Sequence, residues 1–222
     1  MKQVIKKIFP LLFLVLEGYL YRQLLNGFGD VFTYSAYGSI LLCFFFALCH
    51  IRTGSWRFIA ALACTVGADY FLVIVSPQDQ FSGMVFFLFA QMFYAWQLHS
   101  TCKKKWPLYL RLALNAGAIL IAFIVLGENA DPLALISMCY YANLVMNIVV
   151  AFLQFSRYRL AAIGFIFFLL CDTVIGLQVA STGYLPIEPG TWLYDLIHPN
   201  FNLSWFFYLP SQVLLALSSR KK

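Results

Sequence analysis

Charge is the scarcest property of this chain. Only 11% of its 222 residues are Asp, Glu, Lys or Arg, against 62% that are hydrophobic. A soluble domain carries roughly 25% charged residues, so this apolar excess does not fit inside a water-facing core. Metal-ligand and redox spacing is also missing. The six cysteines, at positions 43, 49, 64, 102, 139 and 171, form no C-x-x-C pair and lie mostly within apolar runs. They read as small packing residues rather than a disulfide framework or a metal site. No Pro-, Gly- or Ser-rich stretch reads as a linker, so a single domain over residues 1–222 is expected. These absences exclude a soluble enzyme or carrier and leave an integral membrane protein, with no metal and no cofactor expected.

Long apolar runs are what the chain has instead. A spanning helix needs ~20 mostly apolar residues. The sequence offers runs at about 7–24, 33–51, 57–76, 81–99, 106–126, 132–154, 159–180 and 199–218. The breaks between them carry turn chemistry: "NGFGD", "HIRTGS", "SPQDQ", "STCKKKWP", "GENADP" and "SRYR". The longest break, "STGYLPIEPGTWLYDLIHPN" at 181–200, holds three of the eight prolines. The start resembles a signal peptide, but Glu17 interrupts its apolar run and no small-x-small cleavage site follows, so a retained first helix is expected. The expectation is an all-α polytopic protein with eight transmembrane helices.

The few charges orient those helices. Cytoplasmic loops are enriched in Lys and Arg. With the N-terminus inside, the inner set holds Lys2, Lys6, Lys7, Arg52, Arg57, Lys103, Lys104, Lys105, Arg111, Arg157, Arg159, Arg220, Lys221 and Lys222; of the 15 basic residues, only Arg22 falls outside. Both termini are therefore expected on the cytoplasmic side, in the cytoplasmic membrane of a bacterial cell. The net charge of +6 is accounted for by topology and anionic lipid, with no nucleic acid required. The "KKK" cluster at 103–105 is read the same way. Trp56, Trp106, Trp192 and Trp205, near helix ends, read as interface anchors. His50 and His99 read as interfacial, and His198 as a loop residue.

Acidic residues divide as cleanly. Asp30, Asp79, Glu128, Asp131, Glu188 and Asp195 fall in outer loops, whereas Glu17, Asp69 and Asp172 fall inside helices. No Lys or Arg lies in the middle of a span to pair with them. A carboxylate in hydrocarbon costs at least about 2.5–3.5 kcal/mol on insertion scales, and intramembrane acids are functional candidates by default. Asp69 and Asp172 lie about twelve and thirteen residues from the inner ends of helices 3 and 7, so at 1.5 Å per residue both sit roughly 18–20 Å deep. Glu17 lies a little shallower. The helix after each Asp carries a glutamine, Gln91 and Gln212. This recurrence hints at a four-plus-four repeat with parallel halves.

Burial favours the neutral form of a carboxyl group, and two carboxyl groups sharing a pocket divide into an acid and a base. That pairing suits protonation of an acid-labile ether, followed by attack of water on an oxocarbenium ion. Gln91 and Gln212 could orient water or the carboxyl groups, or bond between helices. Tyr94, three residues after Gln91 and on nearly the same face, either lines the cavity or packs. Tyr141 and Asn143 are supporting candidates on helix 6, where Asn147 extends a polar stripe and Tyr140 is expected to point elsewhere. Glu17 is either a third site acid or a structural partner.

The segments "ALACTVGADYFLV", "FFLFAQMFYAW", "YYANLVMNIVVAF", "AAIGFIFFLLCDTVIGL" and "FFYLPSQVLLALS" resemble, in order and spacing, motifs of the lysoplasmalogenase (YhhN-like) family of eight-helix membrane proteins. The resemblance runs from about residue 57 to residue 218. It implies cleavage of the vinyl-ether bond of a lysophospholipid, with Asp69 and Asp172 as the catalytic pair and no cofactor. The chain departs from the family pattern at Gln91, where His is frequent, at Cys171, where Ser is frequent, and in "FTYSAYGSILL", which lacks a Lys-Pro pair. Two other classes fit buried acids: a small proton- or cation-coupled transporter, and a non-catalytic lipid-binding protein. Of the features that mark transporters, broken helices at mid-membrane, the sequence offers only Pro210.

Overall fold

The computed structural model describes residues 2–26, 30–127, 131–183 and 187–220. Glu128, Lys221 and Lys222, assigned above from the charge pattern, lie outside them. Nine α-helices are described: α1 (Lys2–Asn26), α2 (Asp30–Leu48), α3 (Trp56–Asp69), α4 (Gln80–His99), α5 (Trp106–Leu126), α6 (Pro132–Phe152), α7 (Phe155–Gly183), α8 (Trp192–Ile197) and α9 (Leu203–Ser218). Seven of the described elements are long and apolar enough to cross a membrane, and α9 is a shorter apolar helix. The fold is that of an all-α, multi-pass integral membrane protein.

Local chemistry sets the helix ends. Asp79, Asp131, Thr191 and Asn202 each accept a backbone N–H from three residues on, at 3.0, 2.7, 3.3 and 3.1 Å, capping α4, α6, α8 and α9. Pro132 opens α6, where a missing N–H costs nothing. Gly127 closes α5 with a φ of 55°, a value that disfavours a Cβ. Along the spans, hydroxyls are satisfied within their own helix: Thr65 donates to Ala61 O at 3.1 Å and Thr173 to Leu169 O at 2.7 Å.

Two departures from the expected spans stand out. The third span is not one α-helix: after Asp69 it continues as a π turn over Tyr70–Ile74, closed by Val75 N–H to Tyr70 O at 3.0 Å. The sequence reading allowed only Pro210 as an interruption, so this is a correction; "YFLVI" is uniformly apolar and carries no Gly or Pro to announce the change. The loop at 181–200 contains the short helix α8, and α7 begins at Phe155 with a break in helical geometry at Tyr158.

Small residues let the helices close up. A Cβ on Gly67 would lie 2.7 Å from the Phe86 ring, and one on Gly83 would lie 2.6 Å from Leu72 of the π turn, so α3 and α4 meet where both helices lack side chains. Gly164 of α7 faces α9 in the same way, with Leu214, Leu215 and the Ser211 carbonyl 3.2 Å from its absent Cβ. The partners of the two aspartates, described below, do not follow a four-plus-four symmetry.

Hydrogen bonds join alternate loops at one end of the bundle. Ser55 Oγ donates to Gln97 at 2.7 Å, Arg57 to Ser100 at 2.7 Å, Thr101 to Gln154 at 2.9 Å, and Ser55 N–H to Ser219 O at 2.8 Å. These contacts gather Arg52, Arg57, Lys103–Lys105, Arg157, Arg159 and Arg220 at a common basic end, as the charge count anticipated.

Candidate functional site

Five helices build the site around an aromatic wall. Phe87 of α4 and Phe168 of α7 meet at 5.7 Å between ring centroids. Tyr140 of α6 and Tyr208 of α9 pack against both, at 5.7 and 6.3 Å and at 6.4 and 5.5 Å respectively. Each tyrosine presents its hydroxyl to one aspartate. Tyr208 donates to Asp69 Oδ2 at 2.6 Å, and Tyr140 donates to Asp172 Oδ2 at 2.5 Å. The two carboxyl groups are thus tied to tyrosines that share one aromatic wall. Asp69 is buried, while Asp172 keeps part of its surface open. The arrangement holds two acids in low dielectric, each fixed by one buried donor.

The tyrosine on α6 is the one the sequence reading passed over. Tyr140, expected to point elsewhere, is 3% exposed and bonds Asp172; Tyr141, the supporting candidate, is 37% exposed and bonds Thr173 at 3.0 Å. Adjacent helix residues differ by ~100° in direction, and nothing in "CYYAN" says which of the two faces inward. Tyr208 was missed although a signal existed: it lies four residues before Gln212, on the same face of α9.

The remaining candidates form other contacts. Gln91 accepts from Asn147 at 2.8 Å, leaving its own amide N–H without a partner, and Gln212 donates to Ser211 while its carbonyl oxygen has none. Both are fully buried and lie one turn from the wall, since Gln91 follows Phe87 by four and Gln212 follows Tyr208 by four. Tyr94 packs between Phe58 and Phe165, at 5.2 and 5.1 Å, with its hydroxyl beside Thr65 but not closing a hydrogen bond. Glu17 is buried on α1 and accepts from Cys43 Sγ at 3.4 Å rather than joining the aspartates.

Asn143 leads to a residue counted above only among the inner basic residues. Arg111 lies inside α5 and is only 6% exposed. It donates to Asn143 Oδ1 at 2.7 Å, Asn147 Oδ1 at 2.8 Å and His99 Nε2 at 3.2 Å, all neutral partners. Asn115, one turn on, ties back to Asn143 and to the Arg111 carbonyl, both at 2.8 Å. The polar stripe of α6 therefore serves a buried guanidinium, and the i, i+4 spacing of Arg111 and Asn115 was its sequence signal.

A cleft of about 370 Å³ opens between α2 and the end of the π turn, lined by Thr33, Tyr34, Val73, Ile74, Val75, Ser76 and Gln78. One turn along α2 from Thr33 and Tyr34, Tyr37 packs beside Tyr70 at 6.3 Å and lies within electrostatic reach of Asp69. A larger cavity, about 730 Å³, lies at the basic end of the bundle, away from both aspartates. Among the described residues, no three His, Cys, Asp or Glu side chains gather as a metal site would need.

Compared with known proteins, residues 31–219 match the model of the YhhN family. No curated protein and no solved structure matches the chain.

Proposed function

The chain belongs to the YhhN family, and on that premise we propose that it is a membrane hydrolase that cleaves the vinyl-ether bond of lysoplasmalogens, releasing a fatty aldehyde and glycerophospho-ethanolamine or -choline. The observation that carries the reading is the aspartate pair, each member held by its own buried tyrosine. Two neighbouring carboxyl groups in low dielectric do not both ionise readily, so one acid and one carboxylate coexist at neutral pH. That is the pairing needed to protonate an enol ether and then activate water.

In the proposed sequence the protonated aspartate gives H⁺ to the vinyl β-carbon, and the C=C electrons form that C–H bond. The α-carbon becomes an oxocarbenium ion, stabilised by the other, ionised aspartate. Water adds to the α-carbon, and its proton passes to the carboxylate left by the first step. The hemiacetal then breaks its C–O bond to the glycerol, whose oxygen takes a proton, and aldehyde forms. One water is consumed in total. In this reading the unpartnered amide atoms of Gln91 and Gln212 hold that water. The cleft beside the π turn suits the polar end of a lipid whose chain lies along the bundle. The setting is the cytoplasmic membrane of a bacterial cell, and the lysophospholipid is the partner.

The test is aldehyde release by the purified chain from a lysoplasmalogen, run in D₂O beside the saturated alkyl-ether analogue. One deuterium on the aldehyde α-carbon, with no cleavage of the saturated ether, supports vinyl protonation. Equal cleavage of both lipids, or of neither, contradicts it.

One observation favours a second reading. The π turn interrupts the third span directly after Asp69, as broken helices do in carriers. A proton- or cation-coupled transporter would show ion-driven uptake in liposomes, with no aldehyde produced.

A further inference from the structure

The cavity at the basic end owes nothing to the aspartate pair, and its chemistry is of another kind. It measures about 730 Å³, and its wall includes Ser55, Gln97, Arg157, Tyr158, Arg159 and Arg220. Three arginines, each exposed at the surface, are among the residues lining one concavity, and no Asp or Glu is among them. Among the described residues, the acids outside the spans belong to the loops of the opposite end. Topology alone asks for basic residues on this side. It does not ask that they be arginines around a cavity with a built floor.

The floor is rigid. Ser55 donates to Gln97 Oε1 at 2.7 Å, Gln97 Nε2 donates to the Tyr158 hydroxyl at 3.1 Å, and that hydroxyl meets Thr101 Oγ1 at 3.0 Å. The wall carrying Arg220 is pinned by a backbone bridge between Gly54 and Arg220. A Cβ on Gly54 would stand 2.7 Å from the carbonyl oxygens of His50 and Ser219, so this closure needs glycine. The Arg157 guanidinium lies 5.5 Å from the centre of the Tyr158 ring.

Guanidinium forks match phosphate oxygens in pairs. The volume falls within the ~300–1,000 Å³ of small-molecule sites and exceeds what a bare phosphate fills. We propose that this cavity, with Arg157, Arg159 and Arg220 as its anion-binding groups, is a site for a phosphate ester. The phosphate arrives on either a membrane phospholipid or a soluble glycerol phosphate; the chemistry at the arginines is the same. The site is independent of the hydrolase reading and stands or falls without it.

The test uses the full chain purified in dodecyl maltoside, with ligand-induced thermal stabilisation as the readout. Three probes are titrated: dihexanoyl phosphatidylglycerol, glycerol 3-phosphate, and dihexanoylglycerol, which has the same tails without phosphate. We expect saturable stabilisation by a phosphate-bearing probe and none by dihexanoylglycerol. A response to phosphatidylglycerol alone identifies a lipid source, and a response to glycerol 3-phosphate as well identifies a soluble one. R157Q and R220Q each raise the apparent Kd at least about tenfold, the loss of one charge-assisted pair. R52Q, a basic residue at the same end but outside the cavity, changes it less than about twofold. Should R220Q fail to fold, R159Q, an exposed position, carries the same comparison. No saturable response to either phosphate probe overturns the proposal, and so does a loss in R52Q equal to that in R157Q.

Discussion

Tyr140 and Tyr141 differ in one respect that a single oxygen can test. Both have the same side chain on the same turn of α6, but only Tyr140 donates to an aspartate. Y140F keeps the ring that packs on Phe87 and Phe168 and removes the 2.5 Å hydrogen bond to Asp172. A hydrogen bond to a charged group contributes about 1.5–3 kcal/mol and one to a neutral group about 1 kcal/mol. Y140F should therefore lower stability by about 1–3 kcal/mol, and a positional loss at the Asp172 carboxyl should lower kcat/KM about tenfold to 150-fold. Y141F removes a partly exposed bond to Thr173, which also donates to Leu169 O, and should stay within about 0.5 kcal/mol of wild type. The assay is SDS-driven unfolding in mixed micelles followed by circular dichroism, with a double-mutant cycle of Y140F and D172A. A coupling energy of at least about 1 kcal/mol is expected, because residues in direct contact do not add. Equal effects of Y140F and Y141F, or additivity within about 0.5 kcal/mol, would refute the tyrosine–aspartate pairing.

Other consequences are open to the same methods. Gly83→Ala places a methyl group 2.6 Å from Leu72 Cγ, so overpacking at the π turn should cost about 1–3 kcal/mol in the unfolding assay. Asn202→Ala removes the cap that accepts from Trp205 N–H at 3.1 Å and should cost about 1 kcal/mol. Hydrogen bonds from the Ser82 hydroxyl and amide hold the Asp79 carboxyl below its ordinary value. The cap's contribution is therefore complete above that ordinary value and fades as pH falls through the lowered one. Wild type should melt above D79A at neutral pH, and the difference should shrink toward pH 2.

The parts of this molecule legible in the sequence are those that hydropathy and charge write in one dimension. The spans follow from apolar runs, the basic end from the alternation of Lys and Arg, and Asp69 and Asp172 from the cost of a carboxyl group at that depth. What was hidden depends on rotation about a helix axis or on contacts between distant segments. Tyr208 reaches Asp69 across 139 positions, and neither residue's neighbours announce the other. The choice of Tyr140 over Tyr141 is a matter of ~100°. The π turn lies in "YFLVI", where every residue is apolar or aromatic and the pattern is uninterrupted. Arg111 lies near a helix end, where the charge pattern counts it only as one more inner basic residue; its burial depends on Asn143 and Asn147, contributed by a different helix.

The most direct measurement is aldehyde release from a lysoplasmalogen by detergent-purified wild type, D69N and D172N, each shown by circular dichroism to be folded. Asparagine keeps the size and the hydrogen-bond acceptor for Tyr208 or Tyr140 but can neither give nor take the reacting proton. We expect aldehyde from wild type and none above background from either variant. Wild-type rates in folded D69N or D172N would contradict the assignment of the two aspartates as the acid and the base.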